Sequence, residues 1–124
     1  MGLFASHDYL HRHGEPERGH AFAGHDLVVY QPYIDASRKP TFAGGRIVAR
    51  MNSNLMARAA VRSGLGIGEI PVYMGERDGL VRLWPERVRQ APYEVWLVTH
   101  RDLRHTARIR AAIDEIVFAF AANR

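Results

Sequence analysis

The chain has 124 residues, 47% of them hydrophobic, with 17 basic side chains against 13 acidic ones. That suffices for one compact domain with its own core and is too short for two ordinary ones. The absence of cysteine excludes disulfides and thiolate metal sites, and the apolar tail "IDEIVFAFAA", interrupted by Asp114 and Glu115, falls short of the roughly 20 apolar residues of a bilayer span.

The start, Met1-Gly2-Leu3-Phe4, lacks the basic flank and long apolar middle of a secretory signal, so a cytoplasmic protein is expected. A net charge of +4 invites an anionic partner, nucleic acid first. Yet the arginines run from Arg12 to Arg124 without gathering into a stripe, and Lys39 is the only lysine. A solvated basic surface is the simpler reading.

In chain order, residues 3–5 read as the end of a strand. Ser6 caps a short helix over 7–13 and Gly14 ends it, with Glu15-Pro16 enforcing the stop. The apolar run Leu27-Val28-Val29-Tyr30, bounded by Asp26 and Pro32, predicts a strand buried on both faces. Residues 33–45 form a loop. "RIVARM" predicts a second strand, with Ile47, Ala49 and Met51 on one side and Arg46, Val48 and Arg50 on the other. Asn52-Ser53-Asn54 are three consecutive N-cap residues. The helix they open carries Leu55, Met56, Ala59 and Ala60 at helical spacing, a series that Leu65 could extend, with Arg58 and Arg62 on the outer face. It ends at Ser63, with Gly64 in the left-handed position, and "IGEIP" resumes as a strand closed by Pro71. "VYMGERDG" predicts a short helix and turn, "GLVRLW" a strand, and "PERVRQAP" a linker. "YEVWLVTH" predicts a strand in which Val95, Leu97 and Thr99 alternate against Trp96 and Val98. Ile109, Ala112, Ile113, Ile116, Val117 and Phe120 draw one apolar face on a helix over 106–122. Strands alternating with helices predict an α/β sandwich with a largely parallel sheet.

The spacing Gly64-Leu65-Gly66-Ile67-Gly68 suggests a phosphate-binding loop, but such a loop lies between a strand and the helix that follows it. Here the glycines follow a helix, at its negative end, and Glu69 occupies the place of the last glycine of the fingerprint. Gly64 and Gly66 are therefore read as structural, ending one helix and letting the next strand pass close. His7 and His11 share a helix face near His13, and Asp8, His20 or His25 could complete a zinc site; surface histidines explain them equally well. No serine lies in a G-x-S-x-G elbow. His100 with Asp102 is a possible base and orienter, although Asp102 is better read as opening the last helical region. The best candidate for binding is Asn52-Ser53-Asn54, at the end of a strand and the start of a helix, where carboxylates bind well.

As a whole the sequence resembles the effector-binding domain of LysR-type transcriptional regulators. "LFASHDYLHRHGEP" is similar to the segment opening that family's second regulatory subdomain, with His7 in place of the usual proline. "GHDLVVY" matches the next strand, and "MNSNLMARAAVRSGLGIGEIP" matches the strongest signature, an Asn/Ser turn followed by a small-residue helix and "GlGIa-x-lP". Gly79-Leu80-Val81-Arg82-Leu83 with Pro85, and "YEVWLVTHRDLRHTARIRAAID", complete the likeness in order. The resemblance implies a three-layer sandwich of the periplasmic-binding-protein-like type. In it, residues 1–92 form the second regulatory subdomain, and 93–124 give the returning strand and C-terminal helix of a truncated first one. It implies no catalysis and no cofactor. The winged helix-turn-helix has no counterpart in the sequence, so no sequence-specific DNA binding by this chain alone is expected. The implied partners are a small effector, often an organic acid, and a homo-oligomer or full-length regulator. The effector wall it implies comprises Tyr30, Gln31 and Pro32 after the first strand, the turn Asn52, Ser53 and Asn54, and Thr99 on the returning strand. Gly64, Gly66 and Pro71 are its structural turns.

Overall fold

A computed structural model describes residues 1–17, 21–30, 44–86 and 96–122. The chain divides into two compact units, Met1–Gln90 and Ala91–Arg124.

Unit 1 opens with β1 (Gly2–Ala5) and α1 (His7–His13), followed by β2 (Asp26–Tyr30), β3 (Arg46–Met51) and α2 (Asn54–Arg62). Then come β4 (Ile67–Ile70), α3 (Val72–Arg77) and β5 (Val81–Leu83). The five strands form one sheet in the order β3-β2-β4-β1-β5. β2 is parallel to both β3 and β4, while β1 runs antiparallel to both of its neighbours, β4 and β5. Four strands thus share one direction, and β1 is the reversed one.

Two clusters of side chains, one on each face of the sheet, make the core. Ala5, Leu27, Ile67 and Leu83 pack with Tyr9 of α1 and with Phe22 and Trp84. On the other face Phe4, Val28 and Ile70 pack with Ala57, Ala60 and Val61 of α2, joined by Met74 of α3. This is a three-layer α/β sandwich. Phe4, Leu27 and Ile67 have no exposed surface, and burial of each such side chain stabilises by about 1.5–3 kcal/mol.

The helix boundaries follow from their caps. The Tyr9 amide donates to Ser6 Oγ at 3.0 Å, and Gly14, at φ 74°, returns its amide to the Leu10 carbonyl. At the end of α2 the Gly64 amide donates to the Val61 carbonyl and the Leu65 amide to the Ala60 carbonyl, both at 3.1 Å. This is the double bond of a Schellman turn, which needs a left-handed residue at its apex, and Gly64 supplies φ 82°. Gly66 is required for a different reason: a Cβ there would stand 2.6 Å from the Asp26 carbonyl oxygen. Pro71 closes β4 and opens α3, its carbonyl accepting from the amides of Met74 and Gly75 at 2.9 and 3.1 Å.

Three local expectations are corrected. The inner face of α2 is Ala57, Ala60 and Val61, whereas Leu55 and Met56 are 72% and 56% exposed. Helix and sheet approach so closely that a Cβ on Gly68 would lie 2.7 Å from Val61, and this spacing admits small residues rather than Leu or Met. In β3, Leu27 faces Ile47 but Val28 faces Ala49. Val48 is the extra residue of a bulge, so Ile47 joins the α1-side core while Ala49 and Met51 join the α2 side. In unit 2, residues 96–100 form no strand; residues 93–95 of that expected strand lie outside the described residues. The described part of the unit holds a short 3₁₀ turn (Arg101–Leu103) and α4 (Ala107–Ala122), with no ladder partner to stabilise a strand. His100 caps the 3₁₀ turn, its Nδ1 accepting from the Asp102 amide at 3.2 Å.

Substituting Gly64 with alanine is expected to cost about 1–3 kcal/mol through backbone strain, and asparagine there less. Gly66→Ala should cost at least as much, because the obstruction is main chain and cannot turn aside. Urea denaturation of the two single variants checks both, and a Gly66→Ala protein as stable as the parent would refute the close-approach account.

Candidate functional site

β2, β3 and β4 are adjacent and parallel, so their carboxyl ends lie on one side of the sheet. In open α/β sheets ligands bind at such an edge. Tyr30 ends β2 in register with Met51 of β3. Asn52 and Ser53 lead from β3 into α2, and Pro71 leads from β4 into α3. Tyr30 and Ser53 are half-buried while Asn52 and Asn54 are exposed. The edge therefore carries a mixed surface of amide, hydroxyl and phenol groups.

The electrostatics come from the backbone. Ser53 occupies the N-cap of α2 with extended φ and ψ, but its side chain makes no capping bond. The first main-chain bond of the helix runs from the Ala57 amide to the Ser53 carbonyl at 3.0 Å. The amides of Asn54, Leu55 and Met56, in the first turn, have no partner within the helix. No acidic residue in the first turn offsets the positive helix end. The start of α2 thus presents the positive end of a helix with no acidic residue in its first turn, a setting that suits an anion.

Two arginines hold α2 without touching this end. Arg58 makes a paired contact with Asp78, Nε to Oδ2 and NH2 to Oδ1, each at 2.6 Å. Arg62 stands further off, with Nε 3.9 Å from Asp78 Oδ2. Asp78 ends α3, so this clamp fixes the spacing of the two helices that begin at the edge. The hydrogen bond from Arg58 is the main cause holding the Asp78 carboxyl below its usual range, against the opposing effect of burial. At the other end of α2, Arg12 NH2 donates to the Gly64 carbonyl at 2.9 Å, placing a cation where the helix is negative.

Of the residues expected at an effector wall, Tyr30, Asn52, Ser53 and Asn54 are brought together at this edge. Gln31 and Pro32 lie outside the described residues, and Thr99 belongs to unit 2, where it is half-buried. The start of α3, Val72 and Tyr73, was not expected from sequence. The signal that would have found it is the rule already applied to β3, since β4 is also a parallel strand followed by a helix. His7 and His11 of α1 are exposed, and among the described residues no three His, Asp or Glu side chains converge to hold a metal ion. No helix among them is long and apolar enough to cross a membrane.

The family model described as the LysR substrate binding domain matches residues 1–121. The regulatory domain of CrgA, a LysR-type transcriptional regulator from Neisseria meningitidis, superposes with a TM-score of 0.69 at 21% identity. The match covers 95% of this chain and 63% of that one, so the chain spans less than two thirds of its structural neighbour. No curated protein matches.

The Asp78 carboxyl is depressed in the folded state, so its stabilising effect is complete above the unfolded value of about 3.9 and is lost as pH falls through the lower folded value. Asp78→Asn should therefore lower the melting temperature at pH 7 and flatten the acid limb of the stability profile below pH 4. Melting curves from pH 2 to 7 on both proteins check this, and an unchanged acid limb would show that the clamp is not the group titrating.

Proposed function

We propose that this chain, which belongs to the LysR substrate-binding domain family, forms one wall of the effector-sensing cleft of a transcriptional regulator and that the effector is a small organic acid. The observation that carries this reading is the start of α2: amides with no partner within the helix, a Ser53 hydroxyl not spent on its own helix, and no acid in the first turn. A carboxylate seated there would accept from the amides, with Ser53 and the two asparagines as side-chain partners. Tyr30 would offer the flat face against which the rest of a small acid packs, followed by Gln31 and Pro32. Thr99 is the further effector contact that the family resemblance implies. In this reading the chain acts by binding and not by catalysis, in the cytoplasm, in an oligomer of regulator subunits. It leaves DNA to a helix-turn-helix that none of the described elements forms.

A second reading, pairing with another chain without sensing, is favoured by unit 2. Trp96, Val98 and Phe118 are 76%, 85% and 72% exposed, and large apolar side chains left open in this number are the material of contact surfaces where they adjoin.

A thermal-shift screen with small carboxylates tests the first reading. Ligand at 100 times its Kd is worth about 2.7 kcal/mol, and Ser53→Ala with Asn54→Ala should weaken binding at least about tenfold, a loss near 1.4 kcal/mol. A cooperative melt unmoved by any acid would remove sensing and leave pairing. Light scattering over a concentration series tests the second reading, which a monomer at high concentration would remove.

A further inference from the structure

Tyr9 is the largest side chain in the core with no exposed surface, yet its hydroxyl ends among polar groups. The Asp26 amide donates to Tyr9 Oη at 2.9 Å, and the same oxygen lies 3.0 Å from His25 Nδ1. With that amide already donating to it, Oη has its own proton to give to Nδ1. This requires a neutral His25 imidazole with its hydrogen on Nε2. His25 is 7% exposed, and its backbone amide is fixed to the Phe22 carbonyl at 2.9 Å. His13, one turn beyond Tyr9 on α1, stacks on the Tyr9 ring with centroids 4.6 Å apart and planes 11° from parallel. These groups sit at the head of β2, and Tyr30 of the effector wall is at its other end.

We propose that Tyr9, His25 and His13 form a proton-operated latch, in which the Tyr9–His25 hydrogen bond fastens α1 to the head of β2 and protonation of His25 releases it. A protonated imidazole turns Nδ1 from acceptor into donor, so the contact at 3.0 Å persists only if the phenol turns its own proton away. The displaced phenol proton then has no acceptor among the described residues, in a place closed to water. The new cation also stands near His13, whose coulombic effect disfavours it.

The charged groups around His25 divide as follows. Asp26, next in β2, favours the cation, but its carboxylate is already engaged by Arg46 of β3, with Nε at 3.0 Å and NH2 at 2.9 Å. From α1 come His13 and, toward the far side of Tyr9, Arg12, which is bound to the Gly64 carbonyl and to Asp8. The turn of residues 21–24 carries no ionisable side chain. Burial is the main cause holding the His25 imidazole below the usual histidine value; His13 adds to it and Asp26 opposes it. Since the folded value is the lower one, the latch contributes fully above the unfolded value of about 6.5. Its contribution is lost as pH falls from there through the folded value.

Imidazole ¹H–¹⁵N correlation spectra of the unmodified full chain read the latch directly. His25 should show the Nε2–H tautomer and stay neutral to a lower pH than a free histidine side chain, whose value is about 6.5. Urea denaturation from pH 8 to 5 should show the folding constant falling by up to about tenfold per pH unit below 6.5, the slope of one proton. That slope should vanish in His25→Gln, and His13→Gln should raise the titration point of His25. The opposite tautomer, titration of His25 at or above the free-histidine value, or an undiminished slope in His25→Gln would each overturn the proposal.

Discussion

Asp26 is the point on which the packing of unit 1 turns. Its amide holds the Tyr9 hydroxyl of α1, its carboxylate holds Arg46 of β3, and its carbonyl is where the chain entering β4 passes closest, over Gly66. One residue thus meets a helix on one face of the sheet and the strands on both sides of β2. The Gly66 approach matters most, because it sets β4 beside β2 in parallel register. Once β4 is there, Gly68 lies under Val61 and α2 settles onto the sheet. The turn before α2 is then delivered to the carboxyl edge together with Tyr30. The candidate site depends in this way on a contact at the opposite end of the strands.

The two ends of α2 are treated differently. At the C-terminus every device is present: a Schellman turn, a left-handed glycine, and the Arg12 guanidinium on the last free carbonyl. At the N-terminus there is neither a side-chain cap nor an acidic residue, a deficit that costs a helix about 1 kcal/mol. The Arg58–Asp78 clamp lies along the side of the helix, so the helix stays anchored while its first turn stays open. Stability at the closed end and along the flank is what allows the open end to remain uncapped until something binds.

Much of this was legible because local chemistry decides it. Ser6 and Gly14 bracket α1 by their own hydrogen bonds, and the end of α2 is written in Gly64. The common direction of β3 and β4 follows from the helix between them. What stayed hidden depends on partners distant in sequence. Leu55 and Met56 look like the buried face of α2 until the glycine at position 68 brings the sheet too close for them. Arg58 reads as a solvated outer residue until α3 ends at Asp78. Residues 96–100 have strand-like alternation, but a strand is stabilised by its neighbour and not by its own pattern. At the site itself, the Asn/Ser turn could be read from its position between strand and helix. The start of α3, with Tyr73 in its first turn, falls under the same rule, but it is harder to see because that helix begins with a proline and not with a capping side chain. The Tyr9–His25 pair left no trace at all, since a buried phenol meeting an imidazole 16 residues away has no local signature.

Among the described residues β3 lies at the margin of the sheet, with a ladder partner on one side only. A regular strand in that position is a template onto which a strand from another molecule can add, the first step of uncontrolled association. The extra residue at Val48 breaks the regular spacing of main-chain donors and acceptors along that margin and increases the local twist. An incoming strand would therefore find its register interrupted after two residues. The irregularity that hides the faces of β3 from a sequence reading also protects the sheet from growing beyond its own chain.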